Sequence, residues 1–296
     1  MLPTCDSRSI RTGLLAKPRR PVAPIQPSTP MHETYRIQPG SKLRLGDIPS
    51  NDDAGLNRDD AEKEFKQLSK RLVDLQEILY AQKKHSLLVV LQAMDTAGKD
   101  STIRSVFSPL DQLACHALSF KAPSQEERDH DFLWRVHQRT PAKGFIHIFN
   151  RSHYEDVLVV RVKNLVPKEV WKARYDHINA FEKMLADEGT TIVKFYLHIS
   201  KGYQKERLQR RLDNADKHWK FNPDDLKERA VWDDYMAAYD DVLERCSTKH
   251  APWYVIPAEK RWFRDLLVAR IMVATLESLD MKYPDPAFDP RSIVIE

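Results

Sequence analysis

Long apolar runs are missing from this chain. No uninterrupted apolar stretch is longer than Leu87–Leu91, whereas a helix that crosses a bilayer takes about 20 such residues. A membrane span is therefore excluded, and no membrane partner is expected. Cysteine is scarce as well: Cys5, Cys115 and Cys246 lie far apart, odd in number and without a CxxC pair. Neither a disulfide framework nor a cysteine zinc site is implied, and a reducing cytoplasm is the expected compartment. A basic surplus is absent from the body of the chain. The net charge is +4, but residues 1–30 hold Arg8, Arg11, Lys17, Arg19 and Arg20 against Asp6 alone, which accounts for all of it. Residues 31–296 are formally neutral, which argues against a broad nucleic-acid-binding face. What remains is 42% hydrophobic and 30% charged over 296 residues, enough for a sizeable core beneath a soluble surface.

The first 30 residues carry six prolines among scattered basic residues. Such a stretch buries too little apolar surface to order itself, so it is expected to be a disordered tail, or sequence upstream of a natural start at Met31. It has no apolar core of a secretory signal. Residues 31–85 form an N-terminal extension in which Phe65, Leu68, Leu72, Leu75 and Leu79 step by three and four. That spacing predicts one apolar helix face over 58–83, packed on the core or partly on a second subunit of a homo-oligomer. Next, Ser86–Gln92 has the continuous apolar pattern of a strand buried on both faces. Strands are then predicted near 114–120, 144–149, 191–199 and 253–256. Helices are predicted near 98–108, 125–139, 152–163, 168–188, 203–213, 223–246 and 259–280. Five strands separated by helices imply an α/β fold, with a parallel sheet covered on both faces. The core is expected over 86–282 and a short tail over 283–296, and no internal repeat is visible.

The chemistry concentrates at three places. First, the strand at 86–92 runs into Asp95–Thr96–Ala97–Gly98–Lys99–Asp100. Strand, tight loop, Gly–Lys and helix is the order that cradles phosphate on backbone N–H groups, with the lysine following the transferring phosphoryl group. The match to GxxxxGK[ST] is incomplete, because Ala93 stands where the first glycine belongs and Asp100 where the hydroxyl belongs. A carboxylate must then do more to hold Mg²⁺, and Asp95 is the best placed. Second, Phe145–Phe149 ends in Asn150–Arg151, at the carboxyl end of a central strand where open sheets bind ligands. Asn150 can ligate or hydrogen-bond without bringing charge. Arg151 can bridge phosphates in a bidentate way, its alternative being a salt bridge to Glu155 or Asp156. Third, Arg207, Arg210 and Arg211 share one helix face, and Lys217 and Lys220 follow. This is either a solvated face, given the interleaved Glu206, Asp213 and Asp216, or the inner side of a lid at about 201–246. His147, in mid-strand, is expected to be a core residue, and no zinc site is expected.

Several blocks together resemble the polyphosphate kinase 2 family, in particular its class III branch, over about residues 35–282. They are Asp95–Asp100, His130–His137, Phe149–Leu158, Lys217–Phe221 and Ala251–Pro257. The resemblance implies a P-loop kinase of the thymidylate-kinase-like type with a helical lid. It further implies Mg²⁺-dependent, reversible phosphoryl transfer between inorganic polyphosphate and a nucleotide, forming ADP from AMP and ATP from ADP. By matching position, Asp95 and Lys99 correspond to the family's catalytic loop acid and lysine. Arg151 corresponds to the arginine after the second strand and Arg211 to the lid arginine. Asn150, where other branches carry Asp, fits class III, whose members accept AMP as well as ADP, and Asp95 and Asn150 are the expected metal-side residues. Thr96, Ala97, Gly98 and Asp100 would line the phosphates, and Arg135, Arg207, Arg210, Lys217 and Lys220 would follow the polymer. A polyanion offers no base or sugar to recognise, so its affinity must come from such a line of cations. Ala93 and Ser101, both usually Gly, depart from the family. The competing readings are an ATP-dependent nucleoside monophosphate kinase and a non-catalytic nucleotide or polyphosphate sensor.

Overall fold

A computed structural model describes residues 31–295; the expected disordered tail, 1–30, lies outside the described residues. The helix expected near 58–83 is α1 (Arg58–Gln82). Asn57 opens it by accepting from the Asp59 and Asp60 amides, and Lys83, left-handed at φ 52°, closes it. Its Leu68, Leu72, Leu75 and Leu79 are buried against the C-terminal helix Arg261–Glu277. These four leucines of the stripe pack within their own chain, while Phe65 stays partly exposed. Each such leucine contributes about 1.5–3 kcal/mol relative to exposure.

All five expected strands form: β1 (Ser86–Ala93), β2 (Cys115–Ser119), β3 (Ile146–Asn150), β4 (Thr190–His198) and β5 (Trp253–Pro257). They build one sheet in the order β2-β3-β1-β4-β5, and every pairing is parallel. β1 is central and all eight of its residues are buried, which is why its sequence runs apolar without alternation. The register places Leu91 opposite both Asn150 and Phe195. The segments leaving β1 and β3 therefore emerge side by side at one carboxyl edge.

Around the sheet lie α2 (Lys168–Asp187), α3 (Lys201–Leu212), α4 (Asp224–Ala230), α5 (Trp232–Cys246) and α6 (Arg261–Glu277). Three expected helices are interrupted. The one near 125–139 stops after Asp129, where His130 turns extended, and Asp131 restarts the chain by accepting from the Leu133 amide. The one near 152–163 begins as a 3-10 turn over His153–Asp156, because Ser152 is extended and caps Tyr154. The one near 223–246 breaks at Val231, between α4 and α5. The helix near 98–108 is continuous but changes pitch, with α geometry over Lys99–Thr102 and π geometry over Ile103–Phe107.

Candidate active site

The loop after β1 folds tightly because two residues take left-handed backbone: Thr96 at φ 71° and Gly98 at φ 107°. At Gly98 this conformation favours glycine outright. The Gly98 carbonyl accepts from the Thr102 amide at 2.9 Å and from Ser101 Oγ at 2.8 Å. Lys99 Nζ turns back to donate to the Ala93 carbonyl at 3.0 Å. Lys99 is half-buried, and burial holds its ammonium below the ordinary lysine pKa, against the opposing pull of Asp95. Asp100 is exposed, and its carboxylate accepts from Asn150 Nδ2 at 2.7 Å. That contact engages the Asn150 amide nitrogen and joins the loop to the end of β3.

Arg151, just past β3, is left-handed at φ 62°. Its guanidinium lies 3.4 Å from Asp95 Oδ1. Burial opposes its charge, but Glu155 and Asp95 outweigh that, and its pKa is raised. Asp156, the other candidate partner, pairs with Arg174 at 3.0 Å instead. Arg151 therefore faces the loop. A cavity of about 210 Å³ opens beside it, lined by Asp95, Glu155, Asp225, Glu228 and Tyr239 among others.

Of the three arginines on α3, Arg210 is exposed and lies 3.8 Å from Glu206, the solvated arrangement. Arg211 donates to Asp225 at 3.2 Å and to the Lys220 carbonyl at 2.9 Å, which ties α3 to the segment leading into α4. Asp225 is pushed up by burial and by Asp95, against Arg211 and Arg151, so the lid and the loop share one field. Arg207 is half-buried. Burial first, then Arg261, lowers its pKa, and Arg210 and Arg211 add to this. Among the described residues no carboxylate lies within ion-pair distance of Arg207 or Arg261. Such a like-charged group has an electrostatic reason to take an anion. Lys217 and Lys220 are exposed, the Lys220 ammonium lying 4.7 Å from the Trp219 ring.

Arg135 sits elsewhere. It is buried past the end of β2, donating to the Lys121 carbonyl at 2.9 Å and pairing with Glu127 at 3.3 Å. Among the described residues no hydrogen bond or ion pair joins it to the loop. His147 is half-buried and bonds the Arg139 carbonyl. Two residues outside the sequence reading hold the site together. Gln204, on α3, donates to the Asp95 carbonyl at 3.1 Å and accepts from Arg229. Arg264, on α6, is buried, directs Nη1 at the Ala97 carbonyl at 3.4 Å, and pairs with Asp265 at 2.8 Å. A charged residue inside the apolar pattern of α6 was the signal that could have found Arg264; Gln204 offered none.

The chain is 53% identical over 264 residues to the AMP/ADP-polyphosphate phosphotransferase of Meiothermus ruber, covering 88% of this chain and 99% of that one. It is 42% identical to the ADP-polyphosphate phosphotransferase of Rhodopseudomonas palustris, covering 85% and 91%. The crystal structure of polyphosphate kinase 2 from Arthrobacter aurescens TC1 superposes with a TM-score of 0.85 at 41% identity, covering 88% of this chain and 93% of that one. The polyphosphate kinase 2 pattern matches residues 55–284, and this chain, with its loop and lid on a five-stranded parallel sheet, belongs to the polyphosphate kinase 2 family.

Proposed function

We propose that this protein transfers a phosphoryl group between inorganic polyphosphate and a nucleotide, forming ADP from AMP and ATP from ADP, reversibly. The observation that carries this reading is the convergence of Asp95, Lys99 and Arg151 at one edge of the sheet, beside a helical segment whose Arg207 has no carboxylate partner among the described residues. A terminal phosphate oxygen of the nucleotide, already ionised at neutral pH, attacks the terminal phosphorus of the polymer. The bridging P–O bond behind that phosphorus breaks, and the polymer leaves one phosphate shorter. No proton has to move and no covalent enzyme intermediate is needed. The protein supplies position and charge. Lys99 and Arg151 neutralise the transferring group, and Arg211 closes on it from the lid. Backbone and side-chain donors of Thr96, Ala97 and Gly98 line the phosphates. Thr96 Oγ1, buried without a hydrogen-bond partner among the described residues, is suited to that task. Arg207, Arg210, Lys217 and Lys220 would follow the polymer beyond the reacting end. Arg135 Nη1 is engaged by the Lys121 carbonyl and Glu127 on the far side of β3, so Arg135 is the weakest candidate for that task.

Magnesium fits the donor set. The ion takes one or two carboxylates and completes its shell with water and substrate phosphates. Asp95 would hold it, with Asp100 beside it and the Asn150 oxygen available, and among the described residues no larger metal-ligating cluster exists. Held by Asp95 with Asn150, Mg²⁺ would supply positive charge to offset that of the phosphates. The cytoplasm is the compartment we propose. The two described cysteines are buried and free, their thiols pushed up to about 12 by burial. Among the described residues no helix is long and apolar enough to cross a membrane. The test is purified full-length chain with long-chain polyphosphate, Mg²⁺ and either AMP or ADP, with the products separated by chromatography. Product from both acceptors is expected. No product from either, with ready reaction of ATP and a nucleoside monophosphate, would make the protein an ATP-dependent nucleotide kinase.

A further inference from the structure

Directly after Arg151, the chain enters a closed polar cluster with no solvent exposure: His153 and Tyr154, Glu182 on α2 and Lys194 on β4. An ammonium has three donors, and Lys194 uses all of them. They go to Glu182 Oε2 at 2.5 Å, the Tyr154 hydroxyl at 2.7 Å and the Cys246 carbonyl at 2.7 Å. The other Glu182 oxygen accepts from the Tyr154 hydroxyl at 2.8 Å and from His153 Nε2 at 3.1 Å. The rings of Tyr154 and Trp253 lie 5.2 and 5.4 Å from the ammonium. Burial by itself would raise the Glu182 carboxyl, but Lys194 and His153 override it and hold its pKa below the ordinary value.

Stability does not account for such a pair. Desolvating two full charges is costly, and well-packed apolar replacements are often as stable or more so. Its location offers another reason. Arg151 is a non-glycine residue at φ 62°, a conformation that persists only where the surroundings over-determine it. The surroundings here do so from two sides. Towards the sheet, the Arg151 amide donates to the Leu91 carbonyl at 3.2 Å, and buried Ser152 accepts from Gln92 Nε2 at 3.2 Å. On the other side, the next two residues are gripped by Glu182 and Lys194. The Arg151 side chain is half-exposed, and among the described residues its one ion pair is the 3.4 Å contact to Asp95, with Glu155 adding a longer-range attraction, so its aim depends on its backbone as well.

We propose that the buried Lys194–Glu182 pair, acting through His153 and Tyr154, is a positioning device that fixes the strained backbone of Arg151 and aims its guanidinium at the phosphate loop. The inference rests on Arg151 acting on the transferring phosphate. It makes His153, Tyr154, Glu182 and Lys194 positioning residues, none of which touches substrate.

The test is a double-mutant cycle with Arg151→Ala, because a device that works only through Arg151 loses its effect when that side chain is gone. The combined variant Glu182→Leu/Lys194→Met replaces the pair with apolar side chains of similar size. It is expected to fold with a melting temperature below that of the wild type, because the buried Tyr154 hydroxyl, His153 Nε2 and the Cys246 carbonyl lose their partners on the pair. Its kcat should fall on the order of 10-fold to 10²-fold, as for a misplacement of about 1 Å, with the KM for either substrate little changed. In the Arg151→Ala background the same replacement should cost less than about twofold. Tyr154→Phe, which keeps the ring and removes one hydroxyl, should show a smaller fall with the same dependence on Arg151. It decides the matter if the combined variant does not fold. Wild-type kcat in a folded variant, or an equal loss with and without Arg151, would overturn the proposal. The cycle is run with whichever donor, polyphosphate or ATP, supports wild-type turnover. Failure of the polyphosphate reading then appears as donor choice, and failure of this one as additivity.

Discussion

Replacing Gly98 with alanine should damage the loop in two separable ways. At φ 107° an alanine is strained wherever it points, and a side chain in left-handed backbone costs about 1–2 kcal/mol. The added methyl would also lie 2.2 Å from Arg264 Nη1 and 2.9 Å from Ser101 Oγ. The end of an arginine ordinarily moves aside cheaply. This one is buried and pairs with Asp265 at 2.8 Å, so moving it disturbs a buried charge. Displacing it adds a further cost of about 1–2 kcal/mol, within the range for strained or crowded buried sites. The two together are about 2–4 kcal/mol, which in a chain of this size lowers the melting temperature by roughly 5–15 °C. Because the same residues shape the loop, kcat should fall on the order of 10²-fold. Thermal unfolding and steady-state turnover of Gly98→Ala check both figures. A second comparison separates the causes. In an Arg264→Ala background the clash with the guanidinium is gone, and the further loss on adding Gly98→Ala should shrink towards the strain of about 1–2 kcal/mol, plus the small cost of shifting Ser101 Oγ. A Gly98→Ala protein with wild-type melting temperature and turnover would refute the reasoning, and an equal loss in both backgrounds would refute the role given to Arg264.

Lys99→Ala should lower kcat on the order of 10²-fold, as for removal of one electrostatic donor; near wild-type turnover would end the phosphate-loop reading. Burial holds the Lys99 pKa below its ordinary value of about 10.4. The protonated form is the active one, so kcat/KM should decline as pH rises through that lowered value, and Lys99→Arg should move the decline to higher pH. Asp95→Asn should cost a similar factor and raise the magnesium concentration needed for half-maximal rate, measured by titration. Charge-neutral substitutions at Lys217 and Lys220 should raise the KM for long-chain polyphosphate about 3-fold to 10-fold and that for nucleotide much less, the pattern of lost ground-state binding. The effect should diminish with added salt, because exposed charges are screened over about 8 Å at physiological ionic strength.

Sequence alone was sufficient where the physics is local. The apolar run at 86–92 could satisfy its backbone and bury both faces only as an interior strand, and it became β1. The three-and-four spacing of α1 could place its leucines only on one face. The tight turn at Asp95–Asp100 was legible because a contiguous stretch carries the turn, the glycine and the lysine together. Helix continuity was less legible, since His130 and Val231 carry no breaking signal in their own type. What the chain brings together across long separations was decided by tertiary structure. Arg151 faces Asp95 because β3 lies beside β1, a matter of strand order on which periodicity is silent. Its left-handed backbone adjoins residues locked to Glu182 and Lys194, supplied by a later helix and strand. Arg264 reaches Ala97 across 167 residues. Arg135, equal in sequence to the other cations, folded into a salt bridge past the end of β2. Local pattern sets which groups the backbone hydrogen-bonds and which face is apolar. The direction a charged side chain finally takes depends on partners that only the packed chain brings within reach.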